Sequence, residues 1–440
     1  MGSAGPAALT AACSRIAARR QLATTPGRLR LAAVLLALSA IVFGLVAAHA
    51  AGERGRAVDR VAVTDRLLVS AVELSVSLSN AHAIAAFSFL RGRPERPASR
   101  QLYDDALGQA GVGVAGLARA IGTSSGSGPA VRRITRTLPV YAGLIENARA
   151  NNRQGFPVGS AYLRKASTTM RNAMLPGARD LYEIQAQHLT TGYRRGVSRW
   201  TLVAVALAAC ALLALLACTQ LALARATRRI LNPSLVLATF LLLGLMVWIG
   251  AAFTVQQNAL AQAQSTGSDP VELLTTTRIL ASRAQADESI ALAARGGGEK
   301  EPRLEDVDRG FQAVTRPIGG LLRRAADIAG APIGAIDRAY RTYLDAHSHV
   351  VEQVKLGDFT RAEALAVDHG SGGAPSTKQA GDALSAALDR EEGVAKGRFE
   401  DAVKRADAAL TGLGAGIPAL TVVCALLALF GVRQRLEEYR

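Results

Sequence analysis

The sequence predicts an all-α integral membrane protein with four transmembrane helices and two extracytoplasmic four-helix bundles from an internal duplication. Three observations lead to this fold class. Half of the 440 residues are hydrophobic but only 5% are aromatic, so the apolar content is mostly Ala, Leu and Val, which suit helices. Four apolar runs are long enough to cross a bilayer. The two long segments between them share one plan of helices and breaks.

A helix needs about 20 apolar residues to cross a hydrocarbon core of roughly 30 Å. A removable signal peptide is the alternative for the first run, but this run is long and no cleavage motif stands out, so we expect a retained helix. Asn232 and Pro233 are expected to cap and open the third span, and Pro418 to lie in the first turn of the fourth. The four predicted spans are residues 31–51, 200–224, 235–255 and 417–432.

Basic residues beside the spans predict the orientation, because short cytoplasmic segments are enriched in Lys and Arg. Arginines cluster in three short segments, which we expect to be cytoplasmic together with both termini. The long segments are then outside the cell membrane. The cytoplasmic segments are residues 1–30, 225–234 and 433–440, and the extracytoplasmic ones are 52–199 and 256–416.

The formal charge of +16 also raises the possibility of nucleic-acid binding. The basic residues are scattered and lack interleaved aromatic side chains, so positive flanks beside a lipid bilayer and a solvated Arg-rich surface explain the charge better. We expect no nucleic-acid partner. Neither long segment contains a cysteine, so packing alone must hold the two bundles together.

The duplication rests on matched apolar positions and matched breaks. Gly- and Pro-rich breaks divide each long segment into four helical stretches, as expected of an up-and-down bundle. Tyr141 is matched with Tyr340, each about midway along its segment. The other matches are Leu67 and Leu68 with Leu273 and Leu274, Leu74 with Leu280, and residues 83–85 with 289–291. The breaks fall at 92–97, 122–129 and 151–157, and at 296–302, 330–332 and 369–375.

The sequence indicates no enzyme. Its six histidines lack metal-ligand spacing, and nucleophile elbows, phosphate-binding loops and kinase signatures are missing. We therefore expect no catalytic residue, metal or cofactor. The interiors of the spans carry no charged residue, which argues against a transporter.

Two groups of charged residues are candidates for function. Arg283, Asp287 and Glu288 in the second long segment are candidates for binding a ligand or a partner, although an exposed helix face with local ion pairs is the simpler reading. Arg225, Arg228 and Arg229, in the short loop between the second and third spans, are candidates for the cytoplasmic output.

Two resemblances guide the functional expectation. The long segments resemble the four-helix-bundle sensors of bacterial chemoreceptors. More narrowly, residues 232–235, the third span, Gly267 to Pro270 and Arg278 to Glu288 are similar to the GlnX-type membrane proteins of actinobacteria. This resemblance implies an amino-acid sensing pathway, with an extracytoplasmic solute-binding lipoprotein for aspartate or glutamine and a soluble Ser/Thr protein kinase G inside. It implies no ligand-binding residue in this chain.

The expected function is therefore transmembrane signal transduction between an extracytoplasmic binding protein and a cytoplasmic kinase. A direct small-molecule chemoreceptor, with its pocket between bundle helices, is one alternative. A structural scaffold of the cell envelope is another. The sequence leaves open the ligand, the direction of the signal and the oligomeric state, including a homodimer.

Overall fold

The computed structural model describes residues 25–90, 96–121, 126–154, 158–196, 199–227, 232–293, 304–329, 333–367 and 373–437. Within these ranges the regular elements are all helical, which confirms the predicted all-α class. The helices are α1 (Thr25–Leu90), α2 (Pro97–Ile121), α3 (Gly128–Gln154), α4 (Val158–Thr169), α5 (Leu175–Gly196), α6 (Arg199–Thr227), α7 (Pro233–Gln262), α8 (Asp269–Ala293), α9 (Leu304–Ala329), α10 (Gly334–Lys355), α11 (Phe359–Val367), α12 (Thr377–Leu410) and α13 (Leu413–Glu437).

The chain divides into two compact units. The first, here called the membrane unit, comprises Met1–Asp59, Gly192–Ala259 and Lys404–Arg440. The second, here called the polar unit, comprises Arg60–Thr191 and Leu260–Val403. Most of both long segments therefore belongs to one unit.

In the described part of the chain, four helical stretches are long and apolar enough to cross a membrane, as the sequence predicted. Side chains such as Phe43, Leu242 and Ile417 form the core of the membrane unit. Others point outward: Leu45 and Phe240 each leave 67% of their surface exposed. Large exposed apolar side chains around an apolar core suit lipid surroundings.

The ends of the spans follow the sequence at one helix and depart from it at another. Pro233 opens α7, and the Asn232 side chain accepts a hydrogen bond from the Ser234 N–H at 3.2 Å, as expected of a cap. The expected position of Pro418 was wrong. Because Gly412 has φ +87° and ends the preceding helix, α13 begins at Leu413 and Pro418 lies inside it.

Each long segment has a hydrophobic core of its own within the polar unit. The first core contains Tyr141 and side chains from α1 to α5. The second contains Phe311, Tyr343 and side chains from α8, α9, α10 and α12. The segments also contact each other directly: the Ser282 hydroxyl donates to the Asn80 side-chain oxygen at 3.2 Å.

The second segment contains a break that the sequence reading missed. The third helical stretch was expected to continue to the break at 369–375, but α10 ends at Lys355 and the short helix α11 follows. Gly357 adopts φ +74°, and the Asp358 carboxylate accepts a hydrogen bond from the Arg361 N–H at 2.9 Å. A left-handed glycine followed by a capping Asp ends one helix and starts the next.

Two π-helical turns interrupt otherwise α-helical stretches. One, Met170–Met174, joins α4 to α5, and the other, Ala263–Ser268, joins α7 to α8. Gly267 in the second turn permits a close approach, because a Cβ atom at this position would lie 2.7 Å from the Phe399 Cβ. Such turns are uncommon and occur often at functional sites.

Candidate functional site: a cleft between the two long segments

A cleft of about 710 Å³ lies in the polar unit, with walls from both long segments. Its volume is within the range of small-molecule sites. From the first segment, α1 contributes Val72 and Ser75, and the first π-helical turn and α5 contribute further residues. From the second segment, α8 and α9 form the opposite wall. Much of the lining is aliphatic: Val72, Leu175, Leu273, Ile279, Leu280, Leu321 and Ile328.

One end of the cleft carries two arginines that share a carboxylate. Arg171, on the first π-helical turn, and Arg283, on α8, both line the cleft. The Asp287 carboxylate lies 3.2 Å from Arg171 Nη1 and 3.6 Å from Arg283 Nε. Two guanidinium groups around one carboxylate leave a net positive charge at this end.

The surroundings of Asp287 change the pKa of its carboxyl group. Its side chain is only 15% exposed, and burial raises the pKa of this carboxyl group, while Arg171 and Arg283 act in the opposite direction. The Asp287 carboxylate is also the point where an ion pair joins the two segments, since Arg171 belongs to the first and Asp287 to the second.

The start of α8 gives the cleft an acidic end. Asp269 and Glu272 lie in the first turn of this helix and line the cleft. Tyr182 of α5 donates a hydrogen bond from its hydroxyl to Glu272, and burial followed by the charge of Glu272 raises the pKa of Tyr182. Burial and Glu272 also raise the pKa of Asp269. Arg283 lies eleven residues beyond Glu272 and fourteen beyond Asp269 along α8, which corresponds to about 16 Å and about 21 Å at 1.5 Å per residue.

Two further arginines line the cleft. Arg179 is 78% exposed and pairs with Glu183 on the same helix at 2.7 Å. Because the two opposite charges offset each other, this pair adds little net charge to the cleft. Arg324 of α9 is exposed and lines the opposite wall.

The structure separates the three residues that the sequence proposed as one binding site. Arg283 and Asp287 lie four residues apart on one face of α8 and meet at the cleft. Glu288 lies on a different face, since successive residues in a helix differ by about 100°. Its Oε2 atom is 3.0 Å from His347 Nδ1 within the polar unit, and its side chain is 2% exposed.

His347 has a defined setting in the second segment. Its ring stacks on Phe311 with centroids 3.4 Å apart, and its Nε2 atom is 3.7 Å from the Asp308 carboxylate. Among the described residues, no group of three or more His, Cys, Asp or Glu residues is placed to hold a metal ion.

The proposed output residues are only partly described. Arg225 is exposed in the last turn of α6. Arg228 and Arg229 lie outside the described residues.

Sequence reasoning missed the residues that complete the cleft. Arg171 and Tyr182 come from the first long segment and Arg324 from the helix after α8, and each resembles an ordinary residue on a helix surface. A pair four residues apart can be read from the sequence, whereas a partner on another helix depends on tertiary packing.

Comparison with known proteins identifies one segment of the chain. No curated protein and no solved structure matches the chain. Residues 57–194 match the family model described as an actinobacterial sensor domain. The matched segment supplies Val72, Arg171 and Tyr182 to the cleft. Over this segment the chain is therefore similar to an actinobacterial sensor domain, and the similarity supports a sensing or signalling role.

Proposed function

We propose that this chain is a non-enzymatic signal transducer of the cell membrane, with its polar unit outside and both termini in the cytoplasm. Helix α1 is the observation that carries the proposal. It runs unbroken from Thr25 to Leu90, and it supplies Phe43 to the core of the membrane unit and Val72 and Ser75 to the cleft. A helix can transmit a small displacement because it moves as a rigid body. A change at the cleft would then move the apolar part of the same helix.

The proposed partners come from the resemblance to the GlnX-type proteins. A solute-binding lipoprotein loaded with aspartate or glutamine would dock on the polar unit, and a Ser/Thr kinase would respond inside. We propose Arg225, Arg228 and Arg229 as the contact for the cytoplasmic partner. The family match supports sensing in general, and the partners rest on the resemblance alone.

We also propose that the two long segments descend from one duplicated four-helix unit. The register that aligns Leu74 with Leu280 also aligns His82 with Glu288 and Tyr141 with His347. In each segment these aligned positions form a buried hydrogen bond across 59 residues: His82 Nδ1 to Tyr141 at 3.2 Å, and His347 Nδ1 to Glu288 at 3.0 Å. Equivalent bonds at equivalent positions support a common origin better than the weak identity does. In this register Tyr141 is aligned in sequence with His347 rather than with Tyr340.

Crosslinking in native membranes tests the transducer proposal. Tagged chain is captured with and without added aspartate or glutamine, and the attached proteins are identified. We expect a solute-binding protein whose capture depends on the solute, together with a cytoplasmic kinase. Envelope proteins captured equally in both conditions would instead indicate a scaffold and overturn the proposal. Where tagged and untagged chains are expressed together, capture of the untagged chain would show self-association, as in a homodimer.

A matched variant tests the output residues in the same assay. Replacing Arg225, Arg228 and Arg229 by lysine keeps the positive charge that orients the loop but removes the planar guanidinium groups. We expect kinase capture to fall and lipoprotein capture to stay unchanged. The control replaces Arg133, an exposed arginine of the polar unit that pairs with Asp180, by lysine. If the triple variant captures as much kinase as this control, the loop arginines are not the contact.

A further inference from the structure

We propose that the cleft binds a small organic monocarboxylate with an apolar body, and that the ligand carboxylate replaces Asp287 between Arg171 and Arg283. The inference rests on the proposed function, because it assigns a ligand class to the sensing unit. It differs from the binding-protein route in that the ligand contacts this chain directly.

The first step of the argument is the charge at the Asp287 end. Arg171 is 39% exposed and Arg283 is 43% exposed, so both guanidinium groups are reachable from solvent while they hold a carboxylate that is itself mostly buried. Guanidinium groups bind carboxylates with paired donors, and each has donors left after one contact. The two guanidinium groups therefore already bind one carboxylate, that of Asp287.

The second step is the shape and lining of the cleft. Beyond the arginines, the walls are formed by aliphatic side chains such as Val72, Leu175, Leu280 and Leu321. A ligand with an apolar body would bury that surface, and burial of apolar area is a main source of affinity. A bare inorganic anion has no apolar surface to bury against these walls.

The third step is the acidic end of the cleft. Asp269 and Glu272, about 21 Å and about 16 Å from Arg283 along α8, would repel a second carboxylate that reached them. The cleft therefore favours one negative charge at the arginine end. An elongated dicarboxylate is disfavoured.

The consequence of binding is a change in how the segments are joined. The Arg171–Asp287 ion pair links the first segment to the second. A ligand carboxylate that takes the place of Asp287 contacts Arg171 and Arg283 together, so the link between segments passes through the ligand. Occupancy of the cleft would thereby alter the contact between the first π-helical turn and α8.

The test measures binding to the full chain in lipid nanodiscs, with empty nanodiscs as the blank. The probe is 4-methylpentanoate, and its neutral amide, 4-methylpentanamide, is the matched control. Saturation-transfer NMR and calorimetry report binding. We expect the acid to bind saturably and at least about tenfold more tightly than the amide, since hydrogen bonds from guanidinium groups to an ionised carboxylate are stronger than those to a neutral amide.

Three substitutions at the arginine end and one control separate recognition from structural damage. Arg171→Gln and Arg283→Gln should each weaken binding of the acid at least about tenfold and leave the amide unaffected. Asp287→Asn should strengthen it severalfold, because the competing internal charge is removed. Arg179→Gln, which changes a lining arginine already paired with Glu183, serves as the control and should change little.

Each outcome decides the proposal. Equal binding of acid and amide, or no saturable binding of the acid at millimolar concentration, overturns it. Weaker binding in Asp287→Asn overturns the exchange of carboxylates even if the arginine variants behave as expected. If the probe fails while solute-dependent partner capture succeeds, the cleft proposal falls and the transducer proposal stands. The reverse pattern removes the binding-protein route and leaves direct binding of the ligand to this chain.

Discussion

Removing the Glu288 carboxylate should destabilise the polar unit far more than removing an exposed carboxylate. Glu288 is 3% exposed, and its Oε2 atom is 3.0 Å from His347 Nδ1. Glu288→Ala deletes a hydrogen bond to an ionisable partner, which contributes about 1.5–3 kcal/mol, and leaves a buried ring nitrogen without its partner. The lost packing adds to this cost. We expect the free energy of unfolding to fall by about 3 kcal/mol.

The assay follows the thermal unfolding of the full chain in detergent by circular dichroism. Glu288→Gln keeps an oxygen that can accept the bond, so we expect a loss of about 1 kcal/mol. Glu183→Ala is the matched control, because Glu183 is 51% exposed and its ion pair with Arg179 contributes little. If Glu288→Ala unfolds at the same temperature as Glu183→Ala, the Glu288–His347 pair does not stabilise the fold as argued.

Two further stability predictions test other contacts of the polar unit. Burial raises the pKa of Asp65 to about 7, with Lys396 acting against it, so the folded state holds this proton more tightly than the unfolded state. Stability from Asp65 is therefore fully present below the unfolded-state pKa of 3.8 and is lost as the pH rises from there to about 7. Asp65→Asn should flatten this part of the pH profile of unfolding, and an unchanged slope would contradict the argument. Gly267→Val should cost about 1–3 kcal/mol, because even a Cβ would lie 2.7 Å from the Phe399 Cβ. Gly393→Ala, where an added Cβ meets nothing within 4 Å, should be neutral or stabilising, and equal effects of the two glycine variants would refute the close approach.

The sequence predicted the features that depend on local pattern. Apolar runs of sufficient length identified the four helical stretches that could cross a membrane, and the Asn232–Pro233 pair identified the start of α7. The close pair Arg283 and Asp287 was also readable, because residues four apart share a helix face. Pro418 was placed wrongly because the helix start depends on the left-handed Gly412 rather than on the proline.

The candidate site depended on information that local pattern does not contain. Arg171 reaches Asp287 from a helix 116 residues earlier in the chain. Glu288 was grouped with Arg283 and Asp287 by proximity in sequence, yet its position on the next face directs it to His347. Periodicity reports which face a residue occupies, but not which helix covers that face.

The two π-helical turns connect these observations. Each turn holds more residues than an α-helical turn, so side chains after it are rotated relative to those before it. The first turn supplies Arg171 to the arginine end of the cleft, and the second ends immediately before Asp269 at the acidic end. Prolines account for both turns, because Pro176 and Pro270 each lie two residues after a turn, lack an N–H and clash with the carbonyl four residues earlier, inside the turn. Each proline thereby places an irregular turn beside one charged end of the cleft, so the local sequence contributes to the positions of Arg171 and Asp269.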